Sequence, residues 1–169
     1  FDLVFSRFGV MFFEDPVAAF ANLRRALRRG GRLAFVCWQT REKNPWMLAP
    51  AIAAAQHVAF PPPPPPHAPG PFAFGDATRV REILERAGFA DVAHEAVNGP
   101  MRLAGDSVEE ALELCLQVGP VGAVLRDAKP GDEQRARVIE AVRKVIESFE
   151  TPRGIEAESG AWIVTARNA

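Results

Sequence analysis

Few side chains in this sequence have the type and spacing to do chemistry. Ser6, Arg7, Phe8 and Gly9 follow an apolar run, Phe1 to Phe5, that only Asp2 interrupts, and they lead on to Met11. Open α/β sheets bind ligands beyond the carboxyl ends of their strands, so these residues stand where a ligand cleft is expected. A serine, a cation, a ring and a glycine suit binding and orienting rather than acid–base work. Arg7 reads equally as a solvent-facing salt-bridge partner and is not expected to be catalytic. Trp38, Trp46 and Met47 flank the end of a second apolar run, Leu33 to Trp38. They could stack on an aromatic or lipid-like molecule, or fill core space. His57, His67 and His94 are isolated from one another; a lone histidine can serve as a general base but is more often a surface or structural residue. Cys37 and Cys115 lack the paired spacing of a zinc or redox motif, no metal-ligand spacing appears, and both read as structural thiols.

These residues need elements to position them. The run Phe1 to Phe5 has the pattern of a parallel strand covered on both faces, and is expected at the centre of a sheet. Asp15-Pro16 then suits the cap and first position of a helix, with Val17, Phe20, Leu23 and Leu27 at helical spacing and Gly30-Gly31 as its end. "LAFVCW" at 33–38 follows as a second strand, so residues 1–38 read as a right-handed βαβ unit. A helix is expected from about Trp46 to Val58. The six prolines 61–66 can enter neither a helix nor a central strand and read as an extended connector. Regular structure returns with a helix at about 78–87, ended by Gly88, and a strand at 92–97. "SVEE" at 107–110 is a capping box that opens another helix. A further helix is expected from about Asp132 to Glu150, and "AWIVTA" at 161–166 is a last strand. No internal repeat is present.

At 169 residues, 48% hydrophobic and 24% charged, the chain has the length and balance of one soluble globular domain. Its formal net charge of −1 gives no general attraction to nucleic acid or anionic membrane. Arg24, Arg25, Arg28, Arg29 and Arg32 do not change this, because they read as the solvated side of one amphipathic helix without interleaved aromatics. No run approaches the roughly 18 consecutive apolar residues of a spanning helix, and no leader is recognisable. A cytoplasmic location, with neither nucleic-acid nor membrane partners, is the resulting expectation. The proline run, with apolar flanks, reads as a tethering loop rather than a docking motif.

Taken together, "FDLVFSRFGVMFFEDPVAAFANLRRALRRGGRLAFVCW" resembles the second half of the Rossmann-like domain of class I S-adenosylmethionine-dependent methyltransferases. Members of that family show an apolar strand ending in a small polar residue, Asp-Pro opening a helix, and "LR-x-L-(R/K)-P-G-G-x-L" leading into the next strand. Here these features are Phe1 to Ser6, Asp15-Pro16, Leu23 to Leu27, and Gly30-Gly31 with Leu33; Arg29 replaces the usual proline. The resemblance continues, by element order and "ILERAGFADV", over 76–97. It implies an α/β fold: a partial Rossmann-like sheet comprising strands four to seven of the family order, with the last two antiparallel. Residues 39–75 and 101–158 read as variable insertions, the second helical, within a single partial domain. No initiator methionine precedes Phe1, and the sequence contains no G-x-G-x-x-G, so the family's first half, with its glycine-rich cofactor loop, is expected to be absent.

What the resemblance implies for function is methyl transfer from S-adenosylmethionine to a small-molecule acceptor in the intact protein. By the same resemblance, Ser6, Arg7, Phe8 and Gly9 would contact the cofactor, Ser6 at its methionine end. Met11, Trp38, Trp46 and Met47 would wall the substrate pocket. Two other readings compete. One is a non-catalytic remnant that dimerises through an exposed sheet edge. The other is a nicotinamide-dependent reductase, against which the chain contains no tyrosine and therefore no Tyr-x-x-x-Lys pair.

Overall fold

The structure, a computed structural model, describes residues 1–62, 64–65, 67–103 and 107–169. Pro63 and Pro66 of the expected connector, and 104–106 of the expected helical insertion, lie outside the described residues. The chain runs β1 (Leu3–Arg7), α1 (Pro16–Ala26), β2 (Arg32–Trp38), α2 (Pro45–Ala55), α3 (Ala77–Arg86), β3 (Ala90–Arg102), α4 (Val108–Gln117), α5 (Gly119–Ala128), α6 (Asp132–Glu147), β4 (Glu150–Thr151) and β5 (Gly154–Arg167). It divides into two compact units: 1–43, 64–98 and 160–169 form the first, and 44–63 and 99–159 the second.

In the first unit the expected βαβ arrangement is present. Asp15 accepts a hydrogen bond from the Ala18 amide at 2.9 Å, so the helix starts at Pro16, where the missing N–H costs nothing. Strands β1 and β2 are parallel, from Leu3 opposite Arg32 to Arg7 opposite Val36. Strand β2 pairs on its other side with β5, antiparallel, from Arg32 opposite Arg167 to Trp38 opposite Ala161. The strand order is β1-β2-β5-β3. Helix α3 is capped by Asp76, which accepts from the Thr78 amide at 2.8 Å.

Alternation along the strands creates two unlike faces. Leu33, Phe35 and Cys37 of β2, with Val164 and Ala166 of β5, join Phe20 and Leu27 of α1 and Val80, Ile83 and Leu84 of α3 in one core. Asn168 ties this layer down, its amide donating to the carbonyls of Leu27 at 2.9 Å and Arg28 at 3.2 Å just beyond α1. Two expectations need correction. Strand β1 is parallel but lies at the sheet edge, not its centre, and its other side has no strand among the described residues. Phe1, Leu3 and Phe5 are accordingly 82%, 45% and 78% exposed. Nor is every arginine near α1 solvated: Arg24 is half-buried, with its guanidinium against Gly88. A Cβ on Gly88 would lie 3.1 Å from Arg24 Nη1, the movable end of a long side chain, so it is the φ of +90° that favours glycine there.

The second unit is helical. Its core includes Leu112 of α4, Val121 and Val124 of α5, and Val138, Val142 and Ile146 of α6. Ser107 caps α4, its hydroxyl accepting from the Glu110 amide at 3.3 Å as the capping box implies. Three elements here differ from the sequence reading. Helix α5 falls in a stretch where none was expected, α6 ends at Glu147 rather than Glu150, and α2, which runs through Pro50, ends at Ala55 rather than Val58.

Candidate functional site

The carboxyl ends of β1 and β2 in the first unit bring Ser6, Arg7, Phe8, Gly9 and Trp38 together. Pairing fixes where each points. Ser6 is in register with Phe35 and so faces the helix-covered side, whereas Arg7 is in register with Val36 and faces the other. The Phe8 amide donates to the Val36 carbonyl at 2.9 Å, which extends the ladder one residue beyond β1. At that residue the chain turns with φ +55°. A bulky residue in left-handed backbone is unfavourable and persists only where its surroundings hold it. What holds Phe8 is the hydrogen bond below and a stacked partner beside it: its ring lies on that of Trp38, centroids 4.0 Å apart and planes 18° from parallel. Gly9 follows with Ser6 Oγ only 3.2 Å from where a Cβ would stand, so the glycine leaves room for the hydroxyl.

Arg7 is exposed and makes no ion pair among the described residues. Met11 is only 1% exposed and belongs to the core. Its side chain supports the site from within, while its carbonyl accepts from the Gly70 amide at 3.1 Å. Trp46 and Met47 belong to the second unit, in the first turn of α2. Both are half-buried, and Trp46 Nε1 donates to Oδ1 of the fully buried Asn44 at 3.0 Å.

Sequence reasoning missed the residues that pack behind these strand ends in the first unit. Gln39 is 5% exposed; its side-chain amide donates to the Ala161 carbonyl, and its backbone amide to that of Gly160, both at 2.9 Å. Gly75 lies against the backbone where β2 ends: a Cβ there would be 3.0 Å from the Thr40 nitrogen and 3.1 Å from the Gln39 carbonyl carbon. Trp162 Nε1 donates to the Gly75 carbonyl at 2.9 Å, and His94 meets Trp162 edge-on with ring centroids 6.1 Å apart. Burial, followed by the charge of Arg81, pushes His94 below its ordinary imidazole range. Burial pushes the Cys37 thiol up to about 12. The signal in the sequence was a polar residue directly after an apolar strand and a glycine between Phe74 and the helix cap Asp76.

Chemically, the carboxyl ends of the parallel strands gather a stacked aromatic pair, a hydroxyl and a cation, groups suited to binding rather than to acid–base work. The family described as methyltransferase domain matches residues 1–35, which is the segment from β1 into β2. No curated protein matches the sequence closely enough to count as a relative. Among solved structures, a Bacillus halodurans C-125 protein provisionally named a methyltransferase is similar, with a TM-score of 0.51 and 14% identity over 99% of this chain and 64% of its own. A phosphoethanolamine N-methyltransferase 2 of Haemonchus contortus, solved with phosphomonomethylethanolamine and S-adenosylhomocysteine, gives a TM-score of 0.42 and 14% identity over 99% of this chain and 33% of its own. The chain thus spans less than two thirds of either structure. At this identity the first likeness is one of fold. It agrees with the α/β, partial Rossmann-like arrangement, and the family match over 1–35 supports the resemblance to class I S-adenosylmethionine-dependent methyltransferases.

Proposed function

We propose that the intact protein transfers a methyl group from S-adenosylmethionine to a small-molecule acceptor, and that this chain is the C-terminal part of its catalytic domain. The observation that carries the reading is a coincidence of position. The 35 residues that match the methyltransferase family contain a strand end where a strained aromatic residue, Phe8, is held at the carboxyl edge of the sheet.

The residues present fit one side of the cofactor. When bound, it supplies an electrophilic methyl group on a sulfonium. Phe8, backed by Trp38, offers π surface suited to a cation. Ser6 and the Gly9 backbone are within reach of polar groups beside it, and Arg7 is free to meet a carboxylate. Trp38 is assigned to the acceptor, and Met11 to support from the core. The remaining contacts, to the ribose and adenine, would come from a glycine-rich strand-loop-helix that these 169 residues do not contain.

Calorimetric titration with S-adenosylhomocysteine tests this on two polypeptides: the present chain, and the product of the coding sequence extended upstream to include such a motif. Binding by the extended product, weakened at least tenfold by Phe8→Ala, is expected. An extended product that contains the motif yet does not bind overturns the reading. A second reading, a non-catalytic dimerising module, draws on the exposed β1 edge. It predicts a stable dimer by size-exclusion chromatography together with no cofactor binding by either polypeptide.

A further inference from the structure

The second unit carries a groove that the proposed reaction does not use. Pro120, Ala123, Val124 and Asp127 recur at the spacing of one helix face, and this face of α5 forms one side of it. The chain beyond α2, at Phe60 and Pro61, forms the other. The space between them is about 370 Å³, within the roughly 300–1,000 Å³ of small-molecule sites. The second wall is held in place: Val58 is buried in the helical core, Phe60 packs half-buried against that core, and Gln134 Nε2 donates to the His57 carbonyl at 2.7 Å.

What fits is set by the single charged side chain on the lining. Asp127 ends the apolar stripe in the last turn of α5, where the helix dipole already places negative charge and a carboxylate is unfavourable. Among the described residues Asp127 makes no ion pair or hydrogen bond, and no backbone amide beyond the helix caps the last carbonyls of α5. Neither neighbouring cation answers it. Arg126 Nη1 donates to the Gln117 carbonyl at 2.6 Å, towards the opposite end of the helix, and Lys129 follows in left-handed backbone, φ +44°, with no ion pair among the described residues.

We propose that this groove binds a small organic ammonium ion, its apolar body between Phe60 and the α5 stripe and its charge beside Asp127 and the uncapped carbonyls. A neutral apolar molecule would leave the carboxylate unanswered, and a metal ion would find a single carboxylate among the lining side chains. An ammonium on an apolar body satisfies both, since its N–H groups donate to the carboxylate and carbonyl oxygens in charge-assisted bonds. Every residue of the site belongs to the second unit, so the proposal holds whatever reaction the strand ends serve.

Two probes of nearly equal shape test it: tryptamine, a cation at neutral pH, and tryptophol, which carries a hydroxyl in place of the ammonium. In NMR titrations of the isotope-labelled chain, tryptamine is expected to shift the amides of Phe60 and of residues 123–128 saturably, and to bind about fivefold more tightly than tryptophol. Asp127→Asn, at an exposed position, should bring the two probes to equal affinity. Ala123→Phe, which fills the groove, should abolish binding of both, with far-UV circular dichroism confirming that it is folded; if it is not, Asp127→Asn decides alone. A preference for tryptamine that survives Asp127→Asn, equal affinity of the two probes for the wild type, or full binding by folded Ala123→Phe overturns the proposal. So does the absence of saturable shifts at these residues with millimolar tryptamine.

Discussion

Phe8 offers a test in which the usual ranking of two substitutions reverses. At an ordinary position alanine is favoured over glycine by about 0.4–1 kcal/mol, because glycine leaves the unfolded chain more freedom to lose. Phe8 has φ +55°, where a residue with a Cβ carries a penalty of about 1–2 kcal/mol that glycine escapes. Both substitutions lose the same ring. Half-burial of a phenylalanine contributes roughly 1–1.5 kcal/mol, and the 4.0 Å stack on Trp38 about 0.5–1.5 more. Phe8→Ala should therefore destabilise by about 2 kcal/mol. Phe8→Gly should destabilise by about 0.5–1 kcal/mol less, since relief of strain exceeds the entropy term.

Urea unfolding followed by far-UV circular dichroism reads the order directly, and near-UV circular dichroism reports whether the Trp38 environment changes equally in both variants. The expected order is wild type, then Phe8→Gly, then Phe8→Ala. If alanine is the milder substitution, Phe8 does not hold left-handed backbone in solution, and strain does not mark the strand end proposed to meet the cofactor.

Other consequences are simpler to check. Gly75→Ala would set a methyl group 3.0 Å from the Thr40 backbone, which neither side can yield easily, and should cost about 1–3 kcal/mol in a urea titration. His94 titrates below its ordinary value of 6.5, so the unfolded chain binds its proton more readily than the folded one. Stability should be full above pH 6.5, fall as the pH drops through the folded value, and lose that part of its slope in His94→Gln, as thermal melts across the range would show. The thiols of Cys37 and Cys115, raised by burial to about 12 and about 11, should resist iodoacetamide at pH 8 in the folded chain and react once urea is added, as mass spectrometry would show. Asn168→Ala removes the donor to the carbonyls of Leu27 and Arg28 and should cost about 1–2 kcal/mol, visible as a lower urea midpoint.

Much of the fold was legible because its signals are local. Asp15-Pro16 and Ser107 satisfy particular backbone amides, and the period of Val80, Ile83 and Leu84 defines one helix face whatever lies beyond it. What escaped depends on partners distant in sequence. Helix α5 starts at Gly119-Pro120, a pair that reads as a break, and it is held by packing of Val121 and Val124 on a core drawn from α4 and α6. Gln39 and Gly75 come together at the end of β2 only because β5 returns beside it and the loop before α3 crosses it; the sequence marks each position singly but not their meeting.

The edge position of β1 is a different kind of discrepancy. The run Phe1 to Phe5 has the composition of a strand covered on both sides, and the reading of its period was sound: Val4 and Ser6 do face the helices. The exposure fits the reading of a partial sheet, strands four to seven without the first three, since Leu3 and Phe5 project from the face opposite α1 and α3. Sequences that specify a structure tend to agree with it at every level, and a local conflict of this kind concentrates where function or a missing contact lies. The strand next to it shows no such conflict, for Ala34 and Val36 on the same face are small and half-buried. The mismatch is thus confined to the outermost strand. That is the distribution expected if this strand is shaped to be covered, and not if the whole sheet were adapted to solvent.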